Sequence, residues 1–340
     1  MNDNRDNVFR AVIVGDVHSM GHSPKNRKDF YPDALSDKLL EVVNLCNRIN
    51  ADALFFTGDF FHSPEVAFTT VARYGRILMK AMCARYSILG NHDIHGGNID
   101  TYLRCGIGLL EWFNILKIIP NDEPIFFEKG NNKIQITGQS YHYDIDKRDP
   151  ILDYCRKKEN GATHLFHFAH GYLHDKRLPF RHTLVNDIKN HTEADITFTG
   201  HLHFPYFVQT EDGKIFTNPG ALGRITASKS EMRMPYVYIL TVEENGEIHL
   251  DTYVLQTAKK PDEVLDRSKL DEEDIEFYKM NAFLTSIQNV ISVQVLDFEE
   301  IINRIAEEQQ IDDEVRRDTL NEIAIAKEEI GFFDEEGGEI

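Results

Sequence analysis

The chain lacks most of what would place it outside a cell or within a membrane. Its four cysteines, Cys46, Cys83, Cys105 and Cys155, are scattered among 340 residues with no CxxC pair. That spacing excludes a disulfide framework or a thiolate zinc site as the basis of the fold and leaves reduced, buried thiols. Long apolar runs are also missing. The greasiest stretch, residues 109–119, is interrupted by Glu111, Asn114 and Lys117, and a membrane helix needs about 20 apolar residues. Residues 1–7 offer neither the basic start nor the apolar segment of a signal peptide. The expected location is therefore the cytoplasm, with no membrane partner. No internal repeat is present, which excludes solenoids and propellers.

Basic residues are outnumbered, 37 against 56 acidic, for a net charge of −19. Spread evenly, that balance would argue against a polyanionic partner, but residues 261–340 hold 24 of the acidic residues and only 7 of the basic ones. The first 260 residues are close to neutral, so the acidity of the C-terminal end says nothing about what the remainder acts on.

What is present is a regular alternation of short apolar runs and amphipathic stretches, the pattern of an α/β layered domain. Strands are expected at residues 9–14, 53–57, 86–89, 134–138, 163–169 and 195–199, with helices over 35–49 and 65–82. Beyond Gly200 the pattern turns to hairpins, 206–209 with 214–217 about Asp212-Gly213, and 237–242 with 248–255 about Asn245-Gly246. The composition shifts near residues 258–261. A first domain over 1–258 and an acidic, mainly helical region over 259–340 are expected, the latter with two amphipathic helices at 298–330 that need a surface to pack on.

Five of these strands end in glycine and ligand-type residues: Gly15-Asp16-Val17-His18, Gly58-Asp59, Gly90-Asn91-His92-Asp93, His170-Gly171 and Gly200-His201-Leu202-His203. Sites in α/β sheets form beyond the carboxyl ends of strands, so five such ends describe one site built from five loops. Mixed Asp, Asn and His donors without thiolate suit two divalent cations, such as manganese, iron or zinc. Such a pair clamps a phosphate and acidifies a water. His164 and His167, inside a strand, read as structural histidines; His142 and His95 remain open.

This series of motifs, over roughly residues 8–257, resembles the calcineurin-like metallophosphoesterase superfamily. The resemblance implies a four-layer α/β/β/α sandwich with a C-terminal helical appendage, two divalent metal ions (Mn2+ expected), and hydrolysis of a phosphoester. Carried over motif by motif, Asp16, His18 and His203 would hold the first metal and Asn91, His170 and His201 the second, with Asp59 bridging. His92 would protonate the leaving oxygen and Asp93 would hydrogen-bond His92.

Within the superfamily the chain looks most like SbcD-type nuclease subunits. Gly58-Asp59-Phe60-Phe61-His62 resembles their Gly-Asp-Leu-Phe-His motif, which would set His62 near the scissile phosphate. Asn218-Pro219-Gly220-Ala221 resembles their Pro-Gly turn, and the helical pair at 298–330 their grip on an SbcC-like ABC ATPase. Lys176, Arg177 and Arg181, with Lys25, Arg27 and Lys28, are candidate phosphate contacts. The implied partners are DNA, such an ATPase and a second copy of the chain, the last through the helices flanking the Gly90 motif. The stretch from 258 to about 297 is short for the DNA-capping module of that group. A nucleotide-sized phosphoester is therefore the alternative substrate, and a non-catalytic interaction protein the third reading.

Overall fold

The computed structural model describes residues 7–268 apart from residue 179. The expected helical pair at 298–330 and most of the expected region 259–340 lie outside the described residues. Two six-stranded sheets form the centre. The first has the order β14-β13-β1-β2-β3-β4, where β1 is Phe9–Val14, β2 Ala53–Phe56, β3 Ala84–Ser87, β4 Lys117–Ile118, β13 Tyr236–Val242 and β14 Ile248–Val254. The second runs β11-β12-β10-β7-β6-β5, where β5 is Ile125–Lys129, β6 Asn132–Gln139, β7 His164–His170, β10 Ile196–Gly200, β11 Tyr206–Gln209 and β12 Ile215–Asn218. A short parallel pair, β8 (Leu173–His174) and β9 (Thr183–Leu184), stands apart.

Strand periodicity dictates the layering. Phe9, Ala11 and Ile13 point into the core between the sheets, where they meet Phe55, Phe166, Phe168 and Phe198. The alternate residues Val12 and Val14 face outward with Leu54 and Phe56, onto α1 (Tyr31–Arg48), α2 (Phe68–Leu78) and α3 (Gly106–Trp112). On the far face of the second sheet, Ala169 and Phe216 pack under the short α4 (Ile151–Tyr154) and α5 (Val185–Ile188) with Tyr154, Val185 and Ile188. The order is α/β/β/α.

The register brings the ligand-rich ends together. Val14 pairs with Phe56 and Phe56 with Ser87, all parallel, so the loops starting at Gly15, Gly58 and Gly90 leave from one rim. In the second sheet Gly200 lies opposite His170. Both hairpins form in the expected pairing. Past residue 258, α6 (Pro261–Val264) and Leu265 continue to pack, with Val264 and Leu265 buried against Ala227.

Candidate metal centre

The two rims are tied to each other through the ligand residues themselves. The His201 amide donates to Asp16 Oδ2 at 2.8 Å and the Thr57 hydroxyl to Asp16 Oδ1 at 3.2 Å. His170 Nδ1 lies 2.8 Å from the Thr57 carbonyl and donates to it. His18, Asp59 and His201 all adopt left-handed backbone, with φ of 50°, 47° and 80°. Such conformations cost about 1–3 kcal/mol each and persist where surrounding structure over-determines them, commonly at functional sites.

The glycines that precede the ligands are explained by contact distance. A Cβ on Gly90 would stand 1.9 Å from Asp59 Oδ1, and one on Gly58, itself at φ 103°, would stand 2.4 Å from His170 Nδ1. The Gly90→Ala protein is accordingly expected to lose at least about 1–3 kcal/mol of unfolding free energy, because Asp59 and its loop must move. Urea denaturation checks this, and an unchanged midpoint would show that the two loops are not packed this tightly.

Three groups of side chains converge: Asp16, His18 and His203; Asp59, His170 and His201; and His18, His62 and His92. Their contacts have the spacing expected of ligand atoms that share a cation. His170 gives its Nδ1 proton to the Thr57 carbonyl, and its Nε2 faces two ligand-type oxygens, Asn91 Oδ1 at 3.2 Å and Asp59 Oδ2 at 3.3 Å. His18 Nε2 and His203 Nε2 face each other at 3.0 Å. Two donors bound about 2.1 Å from one cation and about 90–110° apart are separated by about 3.0–3.4 Å. The donor set therefore fits two divalent cations, with Asp59 Oδ2, 3.8 Å from His18 Nε2 as well, turned to both groups.

Burial shapes the charges here. It drives His18 and His201 well below the ordinary imidazole range, with neighbouring histidines adding to the effect. Burial likewise pushes Asp16 up to about 6. For Asp59 burial is opposed by His170, His92 and His18, which together hold its carboxyl well below the usual range. Burial also works against a charged His170, but Asp59 beside it raises that imidazole to about 9. Asp59 is thus the electrostatic centre of the site.

His92 Nδ1 lies 2.8 Å from the His62 carbonyl, and the two rings stack at 5.1 Å and 15°. The expected Asp93–His92 hydrogen bond is replaced by another arrangement. The Asp93 carboxylate, pushed up to about 7 by burial and by Asp59, accepts the amides of Phe60, Phe61 and Gly90 at 3.2, 3.1 and 3.0 Å. It buckles the Gly58 loop to the Gly90 loop, because three converging N–H groups outbid one ring nitrogen already given to a carbonyl.

Other expectations sort by what each side chain touches. His167 bridges the Thr137 hydroxyl and the Asp153 carbonyl, each at 2.9 Å, and His164 contacts the Gly246 carbonyl at 2.9 Å; both are structural. His142 pairs with Asp153 at 2.9 Å. Arg27 is a correction: its guanidinium, 1% exposed, is held by Asp29 and by the Arg224 carbonyl, and Lys28 donates to the Asp262 carbonyl. Arg181 gives two N–H groups to the carbonyls of Asp146 and Lys147 and so fastens its own loop. Lys176 and Arg177 are exposed on that loop, whose Phe180 packs on Tyr172 at 4.6 Å, and Tyr172 lies against His201 at 3.9 Å.

Three contributors stand outside the motifs: Tyr141 and Tyr172, which flank His201, and Glu231, whose Oε1 lies 3.1 Å from His203 Nδ1. Tyr141 follows the carboxyl end of β6 as the ligands follow theirs, and that position is the one signal in the sequence that points to it. The Asn218-Pro219-Gly220-Ala221 turn acts as a clamp, with Asn218 donating to the Leu202 carbonyl at 2.6 Å and the Ala221 amide to the His203 carbonyl at 2.9 Å.

The family model described as calcineurin-like phosphoesterase matches residues 9–205, more than half of the chain, and the chain belongs to that family. It is a metal-dependent phosphoester hydrolase. No match was found among curated proteins. Similar solved structures include TT1561 of Thermus thermophilus, at 13% identity and TM-score 0.45, covering 73% of this chain and 100% of that one. A 5′-nucleotidase precursor from the same organism is similar at 13% identity and TM-score 0.42, covering 84% of this chain and 59% of that one. Purple acid phosphatase PPD1 from yellow lupin (Lupinus luteus) seeds is similar at 14% identity and TM-score 0.46, covering 76% and 53%. The chain thus spans little more than half the length of the last two. Among the described residues, no helix is long and apolar enough to cross a membrane.

Proposed function

We propose that this chain is a two-cation phosphodiesterase that cuts DNA in the manner of SbcD-type nuclease subunits. Residues 1–258 would form the catalytic unit and the acidic remainder would contact an SbcC-like ATPase. The observation that carries the reading is the pair formed by His62 and His92. His62 stacks on His92 and its Nδ1 lies 3.4 Å from His18 Nδ1, so two imidazoles stand beside the first cation group. A phosphodiester leaves behind a poorly acidic sugar hydroxyl, and its departure calls for a proton donor with a second group to hold the phosphate.

In this mechanism Asp16, His18 and His203 would hold one cation and Asn91, His170 and His201 the other, with Asp59 available to both; manganese would suit this thiolate-free set. Cations held by these residues would supply charge neutralisation for the phosphate and a more acidic water. His92 donates its Nδ1–H to the His62 carbonyl and so turns Nε2 toward the leaving oxygen, to which the imidazolium form would give its Nε2 proton. His62, which burial lowers to about 4, stays neutral and would donate its N–H to a phosphate oxygen. Lys176 and Arg177 supply phosphate contacts. A second copy would dock through the ends of α2 and α3, a reading supported by the exposure there of Met79, Met82, Trp112 and Phe113.

One observation favours a second reading. Tyr141 and Tyr172 beside His201 form an aromatic wall on which a nucleobase could stack, as a nucleotide-sized substrate would require. The test is cleavage of end-labelled single- and double-stranded DNA with Mn2+, beside bis-p-nitrophenyl phosphate and nucleoside monophosphates. DNA cleavage is expected. Replacing Lys176 and Arg177 together by alanine is expected to shallow the salt dependence of DNA affinity by about one charge per lost contact. Turnover of nucleotides with DNA left intact would overturn the nuclease reading in favour of the second.

A further inference from the structure

We infer that Glu231 is the positioning residue of the first cation group: its carboxylate fixes the tautomer and heading of His203. The inference rests on the two-cation reading and adds a residue that stands 28 positions from its target.

Glu231 is fully buried at the end of a short 3-10 turn, Lys229–Glu231. One oxygen lies 3.1 Å from His203 Nδ1, and the other accepts the Thr226 amide at 2.8 Å. An imidazole that donates from Nδ1 keeps its lone pair on Nε2, and His203 Nε2 is the atom that meets His18 Nε2 at 3.0 Å. Orienting His203 therefore prepares a donor atom for a cation.

The backbone around this contact is held just as firmly. Arg233 gives Nη2 to the carbonyls of His203 and Ala221 at 3.1 and 2.7 Å, so His203 is gripped at both ends. Arg224, at φ 50°, donates to the carbonyls of Arg233 and Lys259 at 3.1 and 2.9 Å. Lys38 donates to the Leu222 carbonyl, and the Leu222 amide in turn donates to the Asp16 carbonyl at 2.7 Å. A buried carboxylate is costly unless paired. Here Lys38, Arg224 and Arg233 surround it electrostatically. Charge balance alone would explain an acid in this place, but it would not require a carboxylate oxygen on His203.

Glu231→Gln separates the two roles. The Thr226 amide holds the glutamine carbonyl oxygen where it now holds Oε2, which turns the amide NH2 toward His203 Nδ1. Donor then faces donor, and the ring is expected to turn or to move its proton to Nε2. Calorimetric titration of the full chain with Mn2+ alone is expected to show two ions in the native protein. In E231Q the first group should bind about 10- to 100-fold more weakly, with the second unchanged. Histidine 1H–15N spectra of the metal-free proteins should show the Nδ1–H form of His203 only in the native chain. Should E231Q be too unstable to titrate, E231D keeps the charge and withdraws it by about 1.5 Å, and the same weakening is expected. Native affinities with the Nδ1–H form intact in the variant would overturn the inference, leaving Glu231 as charge balance. A native chain that takes up fewer than two ions would overturn the two-cation reading and the inference with it.

Discussion

Replacing Asp59 by asparagine is expected to empty both cation positions at once, lowering Mn2+ affinity by at least about 100-fold and abolishing turnover of bis-p-nitrophenyl phosphate. The substitution is nearly isosteric, and asparagine tolerates the left-handed backbone found there, φ 47°, so the loop has no reason to move. Its effect is chemical. The His92 amide donates to Asp59 Oδ1 at 2.9 Å. The asparagine carbonyl must stay at that position, which turns the amide NH2 to the place of Oδ2. That place is 3.3 Å from His170 Nε2 and 3.8 Å from His18 Nε2. A shared acceptor thus becomes a donor aimed at both cation positions. Loss of the negative charge also removes what raises His170 to about 9. Equilibrium dialysis with metal analysis, beside a thermal melt, checks the prediction. Two bound ions per chain in this variant would show that Asp59 is not shared.

The ease of reading Asp59 from sequence, and the difficulty of reading Glu231, has a physical basis. Asp16, Asp59, Asn91, His170 and His201 each lie at the carboxyl end of a strand or just past it, and strand register is set by period-two burial that the sequence carries openly in residues such as Phe9, Ala11 and Ile13. A residue locked to the end of a buried strand inherits that strand's position. Glu231 instead sits in a turn between β12 and β13, and tertiary contacts, among them Arg233 on the His203 carbonyl and Glu231 on the His203 ring, bring that turn to the site. The role of Asp93 is hidden for a related reason. Sequence adjacency to His92 suggests a contact, whereas the amides of Phe60 and Phe61 reach it from a loop some thirty residues earlier. Arg27 looks like an available cation because nothing local reveals that Asp29 folds back on it. The third strand, expected to run through Leu89, ends at Ser87. The Leu89 amide is taken by the Ser140 hydroxyl at 3.0 Å, where the second sheet closes on the first. Strand β5 is not among the expected strands, although Ile125-Phe126-Phe127 ahead of Gly130 favours one, and it pairs antiparallel with β6.

His92→Ala is expected to split substrates by their leaving groups. The side chain belongs to neither cation triad that contains Asp16 or Asp59, so Mn2+ uptake should remain native. What the variant loses is the imidazolium Nε2–H that would protonate the leaving oxygen, Nδ1–H being committed to the His62 carbonyl. A sugar hydroxyl leaves poorly as an alkoxide, so hydrolysis of DNA or of a dinucleotide should fall by about 10²- to 10⁴-fold. A p-nitrophenolate is stable without a proton, and the same variant should hydrolyse bis-p-nitrophenyl phosphate with a far smaller loss. Asp93→Asn provides the contrast. Its carboxylate holds the amides of Phe60, Phe61 and Gly90, so this variant should melt earlier and lose both substrates alike, with no dependence on the leaving group. Steady-state kcat for the two substrates, normalised to bound metal, distinguishes the cases. Equal losses on both substrates in His92→Ala would remove His92 from the role of acid and shift it to holding the phosphate.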